Sequence, residues 1–111
     1  MGILENQVAI VFGGTGLVGS AIVEKLSMHG AKVIIHYNRH AEVANSIMAK
    51  IKNIGGIAEV LQADVTHEKA IQALLRETIS LFGAINIVIN TIHGHSENKL
   101  VTAMFNVHHT S

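Results

Sequence analysis

The sequence contains no cysteine, no proline and no tryptophan, and its one tyrosine is Tyr37. Without cysteine there is no disulfide, no thiolate metal site and no thiol nucleophile. With a single tyrosine, any chemistry that needs a second is excluded as well. Charge is also sparse: 14% of the 111 residues are Asp, Glu, Lys or Arg, against about 25% in an average domain. The eight basic and eight acidic side chains cancel, and no basic block stands out. Such a chain is a poor candidate for nucleic acid or an anionic membrane surface. No apolar run approaches the ~18 residues of a membrane-crossing helix. The N-terminal residues 1–6 carry Glu5 and no basic residue, unlike a signal peptide. Gly2 is followed by Asn6 where a myristoylation signal has Ser or Thr. These absences lead us to expect a soluble, cytoplasmic protein. Apolar residues make up 49% of the chain, which argues against disorder and for one small domain spanning 1–111.

What is present is an alternation of short apolar runs with longer segments of helical period. Val8-Ala9-Ile10-Val11-Phe12 is apolar on both faces and reads as a buried strand. Val18, Ala21, Ile22, Lys25, Leu26 and His29 follow at helical spacing, with Gly30 placed to end the helix. Lys32 to Tyr37 is a second strand. Val43, Ile47, Ile51 and Ile54 form the next helical stripe, stopped by Gly55-Gly56. Ile57 to Ala63 predicts a third strand, and Thr66 stands as the N-cap of the helix after it. Ile71, Leu74, Leu75, Thr78 and Phe82 trace one helical face, with Gly83 just past its end. Ile85 to Asn90 is a fourth strand. Beyond it, residues 91–98 read as a loop and 99–107 as a short helix.

Repeated βα units with near-continuous apolar strands predict an α/β fold: a Rossmann-like parallel sheet with helices on both faces. Right-handed crossovers then give strand order 3-2-1-4, which is a partial version of the doubly wound sheet.

The turn after the first strand is Gly13-Gly14-Thr15-Gly16-Leu17-Val18-Gly19. Three glycines at a spacing of three, between a strand and a helix, form a dinucleotide-binding signature. Gly13 permits a tight reversal, Gly16 a close approach of backbone to pyrophosphate, and Gly19 close packing of helix on strand. The helix N-terminus offers free N–H groups and partial positive charge to the anion. A plain tight βα turn is the competing reading.

On these residues the chain resembles the short-chain dehydrogenase/reductase family. Residues 8–20 look like that family's cofactor turn, with two departures. Phe12 stands where Thr is usual, and the Gly13-x-x-Gly16-x-x-Gly19 spacing is similar to the family's extended members. The resemblance covers residues 5–93 well and 94–111 poorly.

The end of the second strand reads His36-Tyr37-Asn38-Arg39-His40. An acid here would bond the adenosine ribose and favour NAD, and none is present. Arg39 is able to pair with a 2′-phosphate in two-pronged fashion and to stack on adenine, with Asn38 and His40 adding hydrogen bonds. The run resembles the Tyr-Asn-Arg segment of NADP-using short-chain reductases, so NADP is expected over NAD. An ordinary surface charge is the competing reading of Arg39. Ala63-Asp64-Val65 resembles the family segment whose Asp lies against the adenine amino group, although Asp64 would equally serve as a helix cap. Asn90 matches the first Asn of the family's strand-four ending, which flanks the adenosine. Thr91, Ile92 and His93 then depart from it.

The resemblance also implies a reaction, hydride transfer between carbonyl and alcohol, and a Ser, Tyr and Lys to perform it. No Tyr-x-x-x-Lys occurs here, since the residue four positions after Tyr37 is Ala41. The resemblance implies that the family's Ser, Tyr and Lys belong to segments beyond residue 111. Phe105-Asn106-Val107 faintly resembles the segment whose Asn joins the proton relay, so Asn106 is the one catalytic candidate, against a helix-surface amide. We therefore expect the cofactor-binding part of an oxidoreductase, inactive by itself, with a small carbonyl or alcohol substrate only if the chain is completed. A non-catalytic dinucleotide-binding or structural module is the alternative. Eight histidines, with His93, His95, His108 and His109 near Glu97, raise a further reading as a metal-binding protein. Scattered surface histidines explain them more simply, and no metal ligand is assigned. The apolar fourth strand would be a bare edge, and we expect a homo-oligomer formed through that edge or through the segment after residue 98.

Overall fold

The computed structural model describes residues 2–92 and 98–104. Strand β1 (Val8–Phe12) is buried at all five positions. A strand without a polar face is stable only where both faces are covered, and β1 occupies an inner position of the sheet. The other strands are β2 (Lys32–Tyr37), β3 (Ile57–Gln62) and β4 (Ile87–Asn90). Between them run helices α1 (Leu17–Met28), α2 (Ala41–Asn53) and α3 (Glu68–Phe82). The sheet has order β3-β2-β1-β4 and every pairing is parallel. Ile10 lies opposite Ile34 on β2 and Val88 on β4, and His36 lies opposite Leu61 on β3.

The two faces of the sheet carry separate cores. Ile10, Phe12 and Ile34 pack with Ile71, Leu74 and Leu75 of α3 and with Leu100 and Ala103. Val11, Val33 and Ile35 pack with Val23 of α1 and with Ala44 and Ile51 of α2. Each fully buried Ile or Leu contributes roughly 1.5–3 kcal/mol to folding, so these two layers set the order of the strand ends above them.

The α3 stripe is buried as expected at Ile71, Leu74, Leu75 and Thr78. In α1 the face differs. Gly19 and Val23 are buried, while Val18 is 63% exposed. Leu17, Val18, Ile22, Val23 and Leu26 place apolar groups on more than one side of α1, so helical period alone does not select its inner face. In α2, Ala44 and Ile51 are buried while Ile54, the last of the expected stripe, is exposed beyond the helix end. Strand β3 ends at Gln62 and β4 starts at Ile87, each shorter than expected. Thr66 does not cap α3: its hydroxyl donates to Asp64 and the cap position is His67. Residues 100–104 are helical, within the helix expected over 99–107. Asn106, His93, His95, Glu97, His108 and His109 lie outside the described residues. Among the described residues no helix is long and apolar enough to cross a membrane.

Candidate functional site

In a parallel sheet all strands end on the same side, and the loops that leave them converge there. The C-terminal ends of β1, β2, β3 and β4 surround a cleft of about 610 Å³. Its lining includes Gly13, Thr15 and Gly16 from the glycine turn, Tyr37 at the end of β2, and Asn38, Arg39 and His40 just after it. Asp64, Val65 and Thr66 after β3, Thr91 and Ile92 after β4, and His36 complete it. Nine residues singled out from the sequence thus meet in one place.

The glycine turn is built by internal contacts. Gly13 has φ +83, a left-handed conformation that glycine adopts without strain. A Cβ there would also strike Thr91 Oγ1 at 2.4 Å. The Gly16 N–H donates to Gly13 O at 3.1 Å, closing the turn. A Cβ on Gly19 would lie 2.0 Å from Gly13 O, so α1 can approach the turn only as glycine. Gly16 differs. A Cβ there would meet Gly13 O at 3.4 Å, an ordinary contact. Nothing inside the protein demands glycine at this position, which faces the cleft. No side chain caps α1 at Gly16, and no acidic residue occupies its first turn. The first N–H groups of a helix have no partner within it, so α1 presents uncompensated donors toward the cleft.

Leu17, Val18, Gly19 and Asn90 do not line the cleft. Leu17 is 90% exposed and Val18 points to solvent, so only their backbone is available to a ligand there. Asn90 instead accepts the Ile92 N–H at 2.9 Å through Oδ1, shaping the exit from β4.

Arg39 is exposed, and no described acid lies within ion-pairing distance of it. Its neighbour Asn38 is held by Gln62, whose side-chain amide donates to both Asn38 O and Oδ1. Asp64 accepts the Thr66 hydroxyl at 2.7 Å and the Thr66 N–H at 2.9 Å. Those two bonds, with His67 3.2 Å away, hold its carboxyl below the ordinary carboxylate range. Asp64 is thus a fixed anion at the cleft wall, with a local turn as its first task.

Four cleft residues, His36, Thr66, Thr91 and Ile92, were not among the site candidates, and two of them, His36 and Thr91, tie the strand ends together. His36 is 1% exposed, and its ring sits 5.0 Å from that of Phe12. Nδ1 accepts the Gly13 N–H at 3.0 Å, and Nε2 lies 2.7 Å from Ala63 O. Thr91 donates its hydroxyl to Phe12 O at 2.8 Å. Together these side chains tie the ends of all four strands. The alternation of β2 was the available signal: Ile34 and His36 share the face that β2 turns to α3, so a histidine there is an inward one. Among the described residues no group of three or more His, Asp or Glu gathers into a metal site.

Residues 7–107 match the family model described as short chain dehydrogenase. The chain belongs to the short-chain dehydrogenase family. A hydroxynaphthalene reductase of Aspergillus fumigatus is 36% identical over 87 residues, covering 78% of this chain and 32% of that protein. A dehydrogenase/reductase from Sinorhizobium meliloti superposes with TM-score 0.79 at 30% identity, covering 94% of this chain and 43% of that one. The FolM alternative dihydrofolate reductase 1 from Brucella canis, complexed with NADP, superposes with TM-score 0.69 at 35% identity. It covers 75% of this chain and 33% of that one. The chain spans about a third of the length of the curated relatives it matches, and corresponds to their N-terminal part. The short-chain dehydrogenase catalytic residues lie beyond its coverage.

Proposed function

We propose that this chain is the cofactor-binding portion of a short-chain oxidoreductase that takes NADP(H) in preference to NAD(H). The observation that carries the reading is Arg39: exposed, without an acidic partner among the described residues, and on the same cleft as the uncapped end of α1. Two anionic groups on one ligand suit two such cationic features.

The residues present fit a dinucleotide phosphate. The space at Gly16, which internal packing does not require, admits a close pyrophosphate, with Gly13, Thr15 and the backbone of Leu17 and Val18 around it. Gly19 sets the helix close to the turn. Arg39 would grip the 2′-phosphate, with Tyr37, Asn38 and His40 beside the adenosine. Asp64 and Val65 form the wall for adenine, and Asn90 supports the turn beyond β4. The NADP in the Brucella relative supports the same preference. When bound, the nicotinamide supplies hydride chemistry; this chain's residues bind and orient the adenosine side. A small carbonyl or alcohol is the substrate class of the completed protein. The portion alone binds without turnover.

The test is titration of the purified chain with NADPH and NADH, following nicotinamide fluorescence and melting temperature. NADPH is expected to bind more tightly and to raise the melting temperature, with about 2.7 kcal/mol of stabilisation at a hundredfold excess over Kd. No response to either dinucleotide overturns the reading.

A further inference from the structure

His36 makes three hydrogen bonds to the frame of the cleft. Its Nδ1 accepts the Gly13 N–H, its backbone carbonyl accepts the Gly14 N–H at 3.0 Å, and its Nε2 faces Ala63 O at 2.7 Å. Two successive amides of the glycine turn therefore hang on this residue. The partners also dictate the ring's chemistry. An N–H can donate only to an unprotonated Nδ1, and a carbonyl can only accept, so Nε2 carries the proton. The bonds are satisfied only by the neutral ring in this one tautomer.

We propose that His36 is a positioning residue that holds the glycine turn in its anion-binding form and releases it when the ring is protonated. The inference rests on the cofactor reading above. A proton on Nδ1 would set two donors, Nδ1–H and the Gly13 N–H, against each other. Gly13 is the residue whose carbonyl receives the Gly16 N–H and against which α1 packs at Gly19. Displacing it therefore moves the donors that face the pyrophosphate. Burial already disfavours the charged ring, and the Ala63 carbonyl opposes that only in part. The sheet-facing residues of α3, Ile71, Leu74, Leu75 and Thr78, carry no charge. Phe12 on β1 and Leu61 on β3 are apolar. On the cleft side Asp64 is engaged by Thr66 and His67, while Arg39 and His40 are exposed. No described neighbour thus stands as a counter-ion that would retain the proton.

The experiment combines imidazole and amide NMR on the unliganded chain with NADP+ calorimetry on two variants. His36→Asn keeps an acceptor near the Nδ1 position and loses the Ala63 bond. His36→Gln keeps a donor near Nε2 and loses the acceptor for Gly13. Near pH 7.5, His36→Asn is expected to bind NADP+ within about threefold of wild type, and His36→Gln about tenfold or more weaker. From about pH 7.5 to 5.5, wild type should lose a further share of affinity that His36→Asn does not. The ligand phosphate titrates equally against both proteins, so the difference reports His36. In the NMR arm, Nδ1 is expected unprotonated at neutral pH, with the Gly13 amide shifting as His36 titrates below about pH 6.5. A protonated Nδ1 at neutral pH, or a Gly13 amide indifferent to that titration, overturns the proposal, as do variants of equal or reversed affinity. If wild type binds no NADP+ at any pH, the cofactor reading fails, and with it the switch, while the NMR arm still decides whether His36 holds the turn.

Discussion

The carbonyl oxygen of Gly13 occupies the place where a side chain on Gly19 would begin, 2.0 Å from the ideal Cβ position. Gly19→Ala should therefore force α1 away from the turn. Overpacking of this kind costs about 1–3 kcal/mol, and on a chain of this size each kcal/mol lowers the melting temperature by about 4–8 °C. Gly16→Ala is the control, because its Cβ has room. It should leave stability within about 1 kcal/mol and lower dinucleotide affinity. Paired thermal melts and titrations distinguish the two; equal melting temperatures for the two variants would contradict the packing argument.

Arg39→Asp replaces a cation on the cleft, without an acidic partner among the described residues, with an anion. A charge-assisted bond to phosphate is worth about 1.5–3 kcal/mol, so NADPH affinity should fall by about ten- to a hundredfold. NADH lacks that phosphate and should change by only a few fold. Equal loss for both ligands counts against the NADP preference.

His36 makes stability depend on pH, in a direction set by its burial. In the unfolded chain its ring titrates near pH 6.5. In the fold burial lowers that value. Above about pH 7 both states are neutral and pH has no effect through this residue. Below 6.5 the unfolded chain takes up a proton that the folded one refuses, so stability falls until the lowered folded value is passed. The limit is ~1.4 kcal/mol per pH unit. Urea unfolding near pH 7.5, 6.5 and 5.5 should show this loss in wild type and less of it in His36→Asn. The Asp64 carboxyl, lowered in the fold, acts in the opposite sense of charge. Its contribution is present above the ordinary carboxylate range and lost only in stronger acid.

Thr91→Val keeps the shape and removes the hydroxyl bond to Phe12 O. Since the Thr91 N–H also donates to that oxygen, at 3.0 Å, the carbonyl keeps a partner. The cost should lie near 0.5–1.5 kcal/mol in chemical denaturation, with the far-ultraviolet dichroism unchanged.

We propose self-association through β4. Among the described residues β1 is its one strand neighbour, and Ile87, Val88 and Ile89 are half-buried. Such an edge offers backbone donors and acceptors to a second chain. Sedimentation velocity at tens of micromolar should show a dimer or larger; a single monomeric boundary counts against it.

Much of the architecture was legible because it rests on local rules. Apolar runs of strand length, the αL glycine Gly83 after α3 and the stripe Ile71–Leu74–Leu75–Thr78 are each read within a few residues of chain. The same is true of the glycine turn, whose spacing carries its own steric logic. The inner face of α1 was not legible, since its apolar residues point several ways and only packing on the sheet selects Gly19 and Val23. Nor was the true role of Thr66, whose hydroxyl answers Asp64 two residues back rather than the helix ahead.

By itself the sequence determined the βα alternation, the strand order 3-2-1-4, the glycine turn and the absence of an acid beside Arg39. Each of these follows from residue type and short spacing. Only the tertiary structure decided that His36, 23 residues from Gly13 and 27 from Ala63, joins three strand ends through one neutral ring. A hydrogen bond depends on distance and direction in space. Parallel strands bring distant residues to the same end of a sheet, where no spacing along the chain records their meeting.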